Sequence, residues 1–203
     1  MKKYLLILVA ALEAGCASAP PPLAPVSNPA QVWQQRREQL SHIAYWHLNG
    51  RLAVRHGDEA WHINLDWLQR GDNYRIELSG PFGAGEVRLI GNAQGVKLED
   101  SDDHTYYADK PGELLAERTG VTMPVAGLRY WILGLSTPQQ KQRPRLDNQG
   151  RLAFLEDDHW QVKFRRYANV KGLQLPDKIF ISKPAQQIDV RLVVDQWKLG
   201  LAD

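Results

Sequence analysis

Between residues 46 and 98 the large apolar side chains fall on alternate positions, interrupted only by short polar turns. Trp46, Leu48, Gly50, Leu52 and Val54 alternate with His47, Asn49, Arg51 and Ala53; beyond His56-Gly57-Asp58, Trp61, Ile63, Leu65 and Trp67 alternate with His62, Asn64 and Asp66. A period of two places each apolar set on one face of a half-buried strand, so the pattern predicts two long antiparallel strands joined by a tight turn. Arg70-Gly71-Asp72-Asn73 carries the residues of a further hairpin turn, and its Arg-Gly-Asp tripeptide reads as turn chemistry rather than an adhesion signal. Tyr74, Ile76 and Leu78 form a third strand, Val87 and Leu89 a fourth, Val96 and Leu98 a fifth, and Thr105-Tyr106-Tyr107-Ala108 a sixth.

The period then lengthens. Residues 111–118 before Gly120, and 125–133 before Gly134, read as two short helices stopped by glycine. After a polar connector at 136–143, strands resume at 152–155, 160–166, 178–182 and 188–194, with Asp157-Asp158 in a tight turn. About nine to eleven strands joined by short turns predict a mainly β, single-domain fold: one curved antiparallel sheet or an unclosed barrel rather than βαβ units.

Ahead of the strands, Asn28 offers an N-cap and Pro29 a first helical residue, with Val32, Trp33, Arg36, Leu40 and Ile43 at helical spacing. A helix over about 29–44 is expected, with Arg36, Arg37 and Glu38 solvated. Residues 17–29 contain Pro20-Pro21-Pro22, Pro25 and Pro29 with almost no charge, the composition of an extended tether. Met1-Lys2-Lys3 followed by an apolar run at 4–12 is a secretion signal, since a bilayer span needs about 20 apolar residues. Residues 1–15 are therefore read as a signal peptide, 16–28 as a tether and 29–203 as the folded domain. The single cysteine, Cys16, cannot serve an internal disulfide framework.

Composition narrows the partners. The formal charge is +2, and losing Lys2, Lys3 and Glu13 with the leader leaves +1, so no strong field recruits nucleic acid. Residues Gly80 to Gly85 lack the Gly-Lys-Ser/Thr ending that grips phosphate, so no ATP site is expected. That loop carries one large apolar residue, Phe82, among residues too small to cover it: it is either a plug folded onto a sheet edge or an apolar probe. A curved sheet this apolar either fills its concave face with helices or leaves a cavity. The short helices carrying Leu114, Leu115, Leu128, Trp131, Ile132 and nearby Leu135 can serve as lids or plugs. The seven tryptophans can be plain core or the flat wall of a pocket.

Cys16 lies just past the apolar run behind Ala14-Gly15 and resembles the lipobox of bacterial lipoproteins, with Glu13 where that motif usually has Leu. In such proteins the signal is cut in front of the cysteine, whose thiol is lipidated and whose new N-terminus is acylated, and Ala17 behind it suggests the outer membrane. Gly50-Arg51-Leu52-Ala53-Val54, Asn64-Leu65-Asp66-Trp67, Leu78-Ser79-Gly80-Pro81-Phe82-Gly83, Leu114-Leu115-Ala116-Glu117-Arg118-Thr119-Gly120 and above all Leu128-Arg129-Tyr130-Trp131-Ile132-Leu133-Gly134-Leu135 resemble the outer-membrane lipoprotein receptor LolB family over nearly the whole mature chain. The resemblance implies an unclosed barrel with an N-terminal helix, a helical lid and an apolar cavity, anchored by lipid to the outer membrane and facing the periplasm. It implies a protein, expected to be monomeric, that accepts acylated lipoproteins from a soluble, LolA-like periplasmic carrier and inserts them into the bilayer without cofactor, ATP or catalytic residues.

On that resemblance Pro81, Phe82 and Gly83 form a membrane-insertion loop, Phe82 standing where the family usually has Leu. Candidate acyl-cavity residues are Trp46, Leu52, Trp61, Ile63, Leu65, Trp67, Ile76, Leu78, Leu128, Trp131 and Ile132, and Arg129 is a charge-paired hinge for the lid.

Two rivals come from other classes. For a periplasmic hydrolase, Asp100, Asp102, Asp103 and His104 cluster like metal ligands, and His62 and Asp66 share a strand face, but such an acidic turn is usually solvated and no Ser or Cys nucleophile joins the pair, so no metal is expected. The other is a scaffold lipoprotein that binds envelope proteins through a sheet edge.

Overall fold

The structure, a computed structural model, describes residues 24–83, 85–120, 123–139 and 144–200, except the side chain of residue 119. The expected signal peptide, Cys16 and the first part of the tether lie outside the described residues.

Helix α1 spans Pro29–Ser41, and its N-terminus is built as expected: the Asn28 Oδ1 accepts the Gln31 N–H at 3.1 Å and Pro29 occupies the first turn. It ends three residues earlier than the periodicity suggested, because Tyr45 is already paired in the sheet with Arg70 and Gly200. Arg36 is a correction to the solvated reading. It is half-buried, donates from Nη2 to the Gln174 carbonyl at 2.6 Å and lies over the Tyr167 ring, and burial pulls its pKa down. The end of the tether is also tied down: the Val26 N–H bonds the Asn148 carbonyl and Gln149 Nε2 bonds the Ala24 carbonyl.

Among the described residues, eleven strands make one antiparallel sheet. The strands are β1 (Tyr45–His56), β2 (Glu59–Arg70), β3 (Asn73–Ser79), β4 (Val87–Asn92), β5 (Gly95–Glu99), β6 (Thr105–Ala108), β7 (Arg145–Leu146), β8 (Leu152–Asp157), β9 (Trp160–Val170), β10 (Leu173–Lys183) and β11 (Ile188–Gly200). Their order is β6-β5-β4-β3-β2-β1-β11-β10-β9-β8-β7, so the two edge strands do not meet and the barrel stays open. This is the expected mainly β architecture. The two-residue strand β7 was not foreseen, since two residues carry no period. Two single turns of 3₁₀ helix, Pro81–Gly83 and Pro184–Gln186, sit where loops were read.

The first and last long strands pair along nearly their full length, and Gly50 makes this possible. The register between β1 and β11 shifts at Asn49/Gly50, and a Cβ on Gly50 would come within 2.6 Å of the Val193 carbonyl oxygen. Helices α2 (Pro111–Thr119) and α3 (Val125–Ile132) connect the two halves of the sheet. Each ends at the expected glycine: Gly120 at φ 72 caps α2, and Gly134 at φ 75 follows α3, where the Leu135 N–H reaches back to the Tyr130 carbonyl. Their apolar residues Leu114, Leu115, Trp131 and Ile132 are buried, together with Leu133 and Leu135 just beyond α3.

Candidate functional site

The inward positions of the strands fall into levels set by their pairing. On one level Leu48, Trp67, Ile76, Leu89 and Leu98 are partners in successive strands, and all are buried. Trp46 packs against Trp67 at 5.2 Å between ring centroids and against Trp197 at 5.7 Å, while Trp131 of α3 meets Trp160 at 6.5 Å. The Trp67 Nε1–H is kept satisfied by buried Gln69, whose own amide donates to the Gly71 carbonyl. Of the candidate cavity residues, Trp46, Leu65, Trp67, Ile76, Trp131 and Ile132 therefore lie in this packed interior, and Leu128 is half-buried against it.

Further along the same strands the filling stops. Leu52, Trp61, Ile63 and Leu78 line a cleft of about 600 Å³, within the ~300–1,000 Å³ typical of small-molecule sites. Val54, Val87, Met123, Leu115 and Val190 complete its apolar wall. Val54 and Val190 are paired inward-facing residues of β1 and β11, so the two-residue period already marked them; Met123, just before α3, carried no such signal. The cleft's polar lining is sparse, chiefly Ser79, His62 and the backbone of Gly80 and Gly85. Its mostly apolar wall suits a long hydrocarbon chain.

Topology opens this cleft. Strand β3 pairs with β2 only from Asn64 to Arg70, and at Ser79 the chain leaves the sheet, with the Asn64 side-chain amide directed at the Gly80 carbonyl at 3.4 Å. The following turn, Pro81–Gly83, forms the rim. Phe82 at its centre has φ 59 and ψ 22, a left-handed conformation that is unfavourable for a bulky residue by about 1–2 kcal/mol, and the residue is fully exposed. Pro81 and Gly83 beside it are exposed as well.

Arg129, on α3, donates from Nη1 to Asp72 Oδ1 at 2.9 Å and lies 5.3 Å from the Tyr130 ring centroid. Asp72 is in the β2–β3 turn, so the pair ties the helix to the rim of the sheet. A second cavity of about 540 Å³ lies beside it, lined by Trp67, Tyr74 and Trp131 but also by Asp72, Arg129, Asp157 and Asp158. Tyr74 is inward-facing, and its buried hydroxyl has no partner among the described residues; burial pushes its pKa to about 12. A larger hollow of about 790 Å³ lies on the outward face of β3–β5, where Arg75, Ile90, Lys97 and Tyr107 stand side by side. Its mixed charged lining makes no continuous apolar wall.

Asp100, Asp102 and His104 offer ligand atoms within 4.8 Å of one another. The Asp100 carboxylate is already engaged: its Oδ1 accepts the backbone N–H groups of Asp102 and His104 at 3.0 Å each, and its Oδ2 lies 3.3 Å from the Tyr106 hydroxyl. This is turn geometry. Asp66 is held by His47 Nε2 at 2.8 Å and by the Asn49 side chain, whereas His62 stands four residues away along β2, about 13 Å at strand rise. The His62–Asp66 pair is thus not brought together.

Comparison with known proteins places this geometry in a lineage. A family model described as outer membrane lipoprotein LolB matches residues 44–197. The outer-membrane lipoprotein LolB of Nitrosococcus oceani is 39% identical over 197 residues, which cover 97% of this chain and 96% of that protein. That of Ectopseudomonas mendocina is 38% identical over 201 residues, covering 98% and 97%. Among solved structures, a LolA superfamily protein from Nitrosomonas europaea superposes with a TM-score of 0.55 over 84% of this chain and 93% of its own, at 10% identity, a likeness of fold alone. By the extent of the model match and of the full-length relatives, the chain belongs to the outer membrane lipoprotein LolB family.

Proposed function

We propose that this protein is a lipid-anchored receptor of the outer membrane that takes acylated lipoproteins from a soluble periplasmic carrier and inserts them into the bilayer. Lipidated Cys16 holds it at the periplasmic face of that membrane, and the proline-rich segment behind it gives the domain reach. A chain of about a dozen methylenes in water costs on the order of 10 kcal/mol, so the cargo needs continuous cover between carrier and membrane. The cleft bounded by Leu52, Trp61, Ile63 and Leu78 supplies that cover. Transfer runs down a gradient of affinity, from carrier to receptor to bilayer, and consumes neither ATP nor a cofactor. Arg129, pinned to Asp72, fixes α3 over the barrel while the cleft fills.

The observation that carries this reading is the position of Phe82: a fully exposed aromatic on the rim of the apolar cleft. Phe82 enters the lipid and opens a dry route for the acyl chains. Replacing it tests the idea. Phe82→Glu is expected to fold and to take up a fluorescent fatty acid as the natural protein does, yet to fail in delivering a lipoprotein to outer-membrane vesicles. A soluble form lacking Cys16 should still accept cargo from the carrier. Normal delivery by Phe82→Glu, or absence of fatty-acid binding by the natural mature protein, sinks the proposal.

A further inference from the structure

The sheet guards its two ends. Strand β6 is four residues long and packs against α2, and β7 is two residues long and packs against α1, so neither offers a long free template to another chain. A third edge is left open inside the sheet. Strand β2 runs to Glu59, but β3 covers it only as far as Asn64, so residues 59–63 pair with β1 on one side and, among the described residues, with no strand on the other. These five residues are exposed or half-buried, and Trp61 retains 36% of its surface. The 3₁₀ turn that follows β3 lies near β2 but adds no strand pairing to it among the described residues, and Ala60, Trp61, His62 and Ile63 line the apolar cleft together with Gly80 and Pro81.

Two recognition chemistries therefore lie side by side, a row of strand backbone donors and acceptors and an apolar trough. A ligand that uses both is an extended peptide bearing long hydrocarbon chains at one end. We propose that residues 59–63 of β2 receive the first residues of an acylated protein as an added antiparallel or parallel strand, while its acyl chains lie in the adjoining cleft. This rests on the proposed role of the cleft and names how the peptide part is held. Pairing through the main chain gives affinity without asking for a particular sequence, which is what a receptor for many different acylated proteins requires. It also accounts for why this edge is left bare while the terminal edges are short and covered.

The test is amide hydrogen exchange on the mature protein with two probes, palmitic acid and a diacylated cysteinyl decapeptide. The lipopeptide is expected to slow exchange at alternate amides within 59–63, and palmitic acid is not. A lipopeptide N-methylated at alternate amides of the first residues should bind about tenfold more weakly for one parity of substitution and little changed for the other, since a strand presents every second amide to its neighbour. Binding of both probes with no protection at 59–63, or equal loss for both parities, overturns the strand pairing and leaves the acyl cleft standing. Failure of both probes to bind removes the cleft reading as well. Protection that appears without lipopeptide and rises with protein concentration assigns the edge to a second copy of this chain and overturns the proposal.

Discussion

On one level of β1 and β2, Trp46, Leu48 and Trp67 are almost sealed from solvent, whereas further along the same two strands Leu52, Trp61 and Ile63 face an open cleft. Residue type does not separate the two regions, for tryptophan and branched aliphatics occur in both. What separates them is what lies opposite. The sealed level has Trp197 from β11 and the α3 side chains over it, and β3 beside it; the open level has lost β3, which turns away at Ser79. A core ends where its covering strand ends. The same inward-facing alternation thus produces a load of packed aromatic rings at one height and an apolar cleft at another, with the exposed Phe82 on the turn that follows β3 beside the cleft.

The difference is largest where it is measured as stability. Trp67→Ala removes a ring that touches Trp46 and holds Gln69, and it is expected to destabilise the protein by about 3–5 kcal/mol. Ile63→Ala, on the same strand but beside the cleft, should cost only about 1 kcal/mol while weakening fatty-acid binding, because its neighbours are already free of close packing on one side. Urea denaturation of the two variants beside a fatty-acid titration checks both halves. Equal losses of stability would show the cleft level to be as tightly packed as the tryptophan level.

Gly50 lies between the two regions, at the bulge where β1 changes register against β11. Gly50→Ala drives a methyl into the Val193 carbonyl, and because the clash is with backbone rather than a flexible side chain the strand must shift. A loss of about 1–3 kcal/mol is expected, accompanied by a change in the cleft that Leu52 and Val54 line, since both follow the bulge. Thermal unfolding and fatty-acid affinity should fall together. Loss of stability with unaltered affinity would mean that the bulge supports the packed level only.

These contrasts also explain what could be read from the chain alone. The period of two in 46–54 and 61–67 fixed which side chains face inward, and Gly120 and Gly134 fixed where the lid helices stop, because both are local properties. Which level is filled is not local. It depends on β3 being shorter than β2, on β11 returning beside β1 to bring Trp197 against Trp46, and on α3 placing Trp131 near Trp160. Alternation assigned Trp46 and Trp61 the same inward face, and only the pairing of distant strands puts one in a core and the other on the wall of a cleft. Arg129 shows the same limit, as its partner Asp72 is 57 residues away on a turn that no helical spacing points to. Arg36 does too: a helix position flanked by Arg37 and Glu38 reads as solvated until Gln174 and Tyr167 are folded against it.

The rim itself gives a smaller effect of opposite sign. Phe82 holds a left-handed backbone with no side-chain burial in return, so Phe82→Gly is expected to stabilise the protein by about 1 kcal/mol. The same substitution should abolish delivery of lipoprotein to membrane, because the apolar tip is gone. A gain in melting temperature together with a loss of transfer is the signature of strain kept for function. Unchanged stability would mean that the turn relaxes in solution, and retained transfer would remove Phe82 as the membrane contact and with it the observation that carries the proposed function.

The smallest expected change in global stability lies at the Arg129–Asp72 pair. Asp72 is mostly exposed, so breaking the pair by Arg129→Ala should cost no more than about 1 kcal/mol in urea denaturation, and less at high salt, where screening already weakens it. Its local effect is larger, because α3 has eight residues and no side-chain cap at its N-terminus, leaving, among the described residues, its apolar face and this ion pair to hold it on the sheet. Amide exchange in 125–132 is expected to quicken severalfold in Arg129→Ala while the amides of β1 and β11 keep their rates. Asp72→Asn should reproduce that change, and Arg129→Lys should recover part of the protection by restoring the charge. If Asp72→Asn leaves α3 as protected as before, the guanidinium acts through the Tyr130 ring rather than through the carboxylate, and the helix is held to itself and not to the turn that borders the cleft's covering strand.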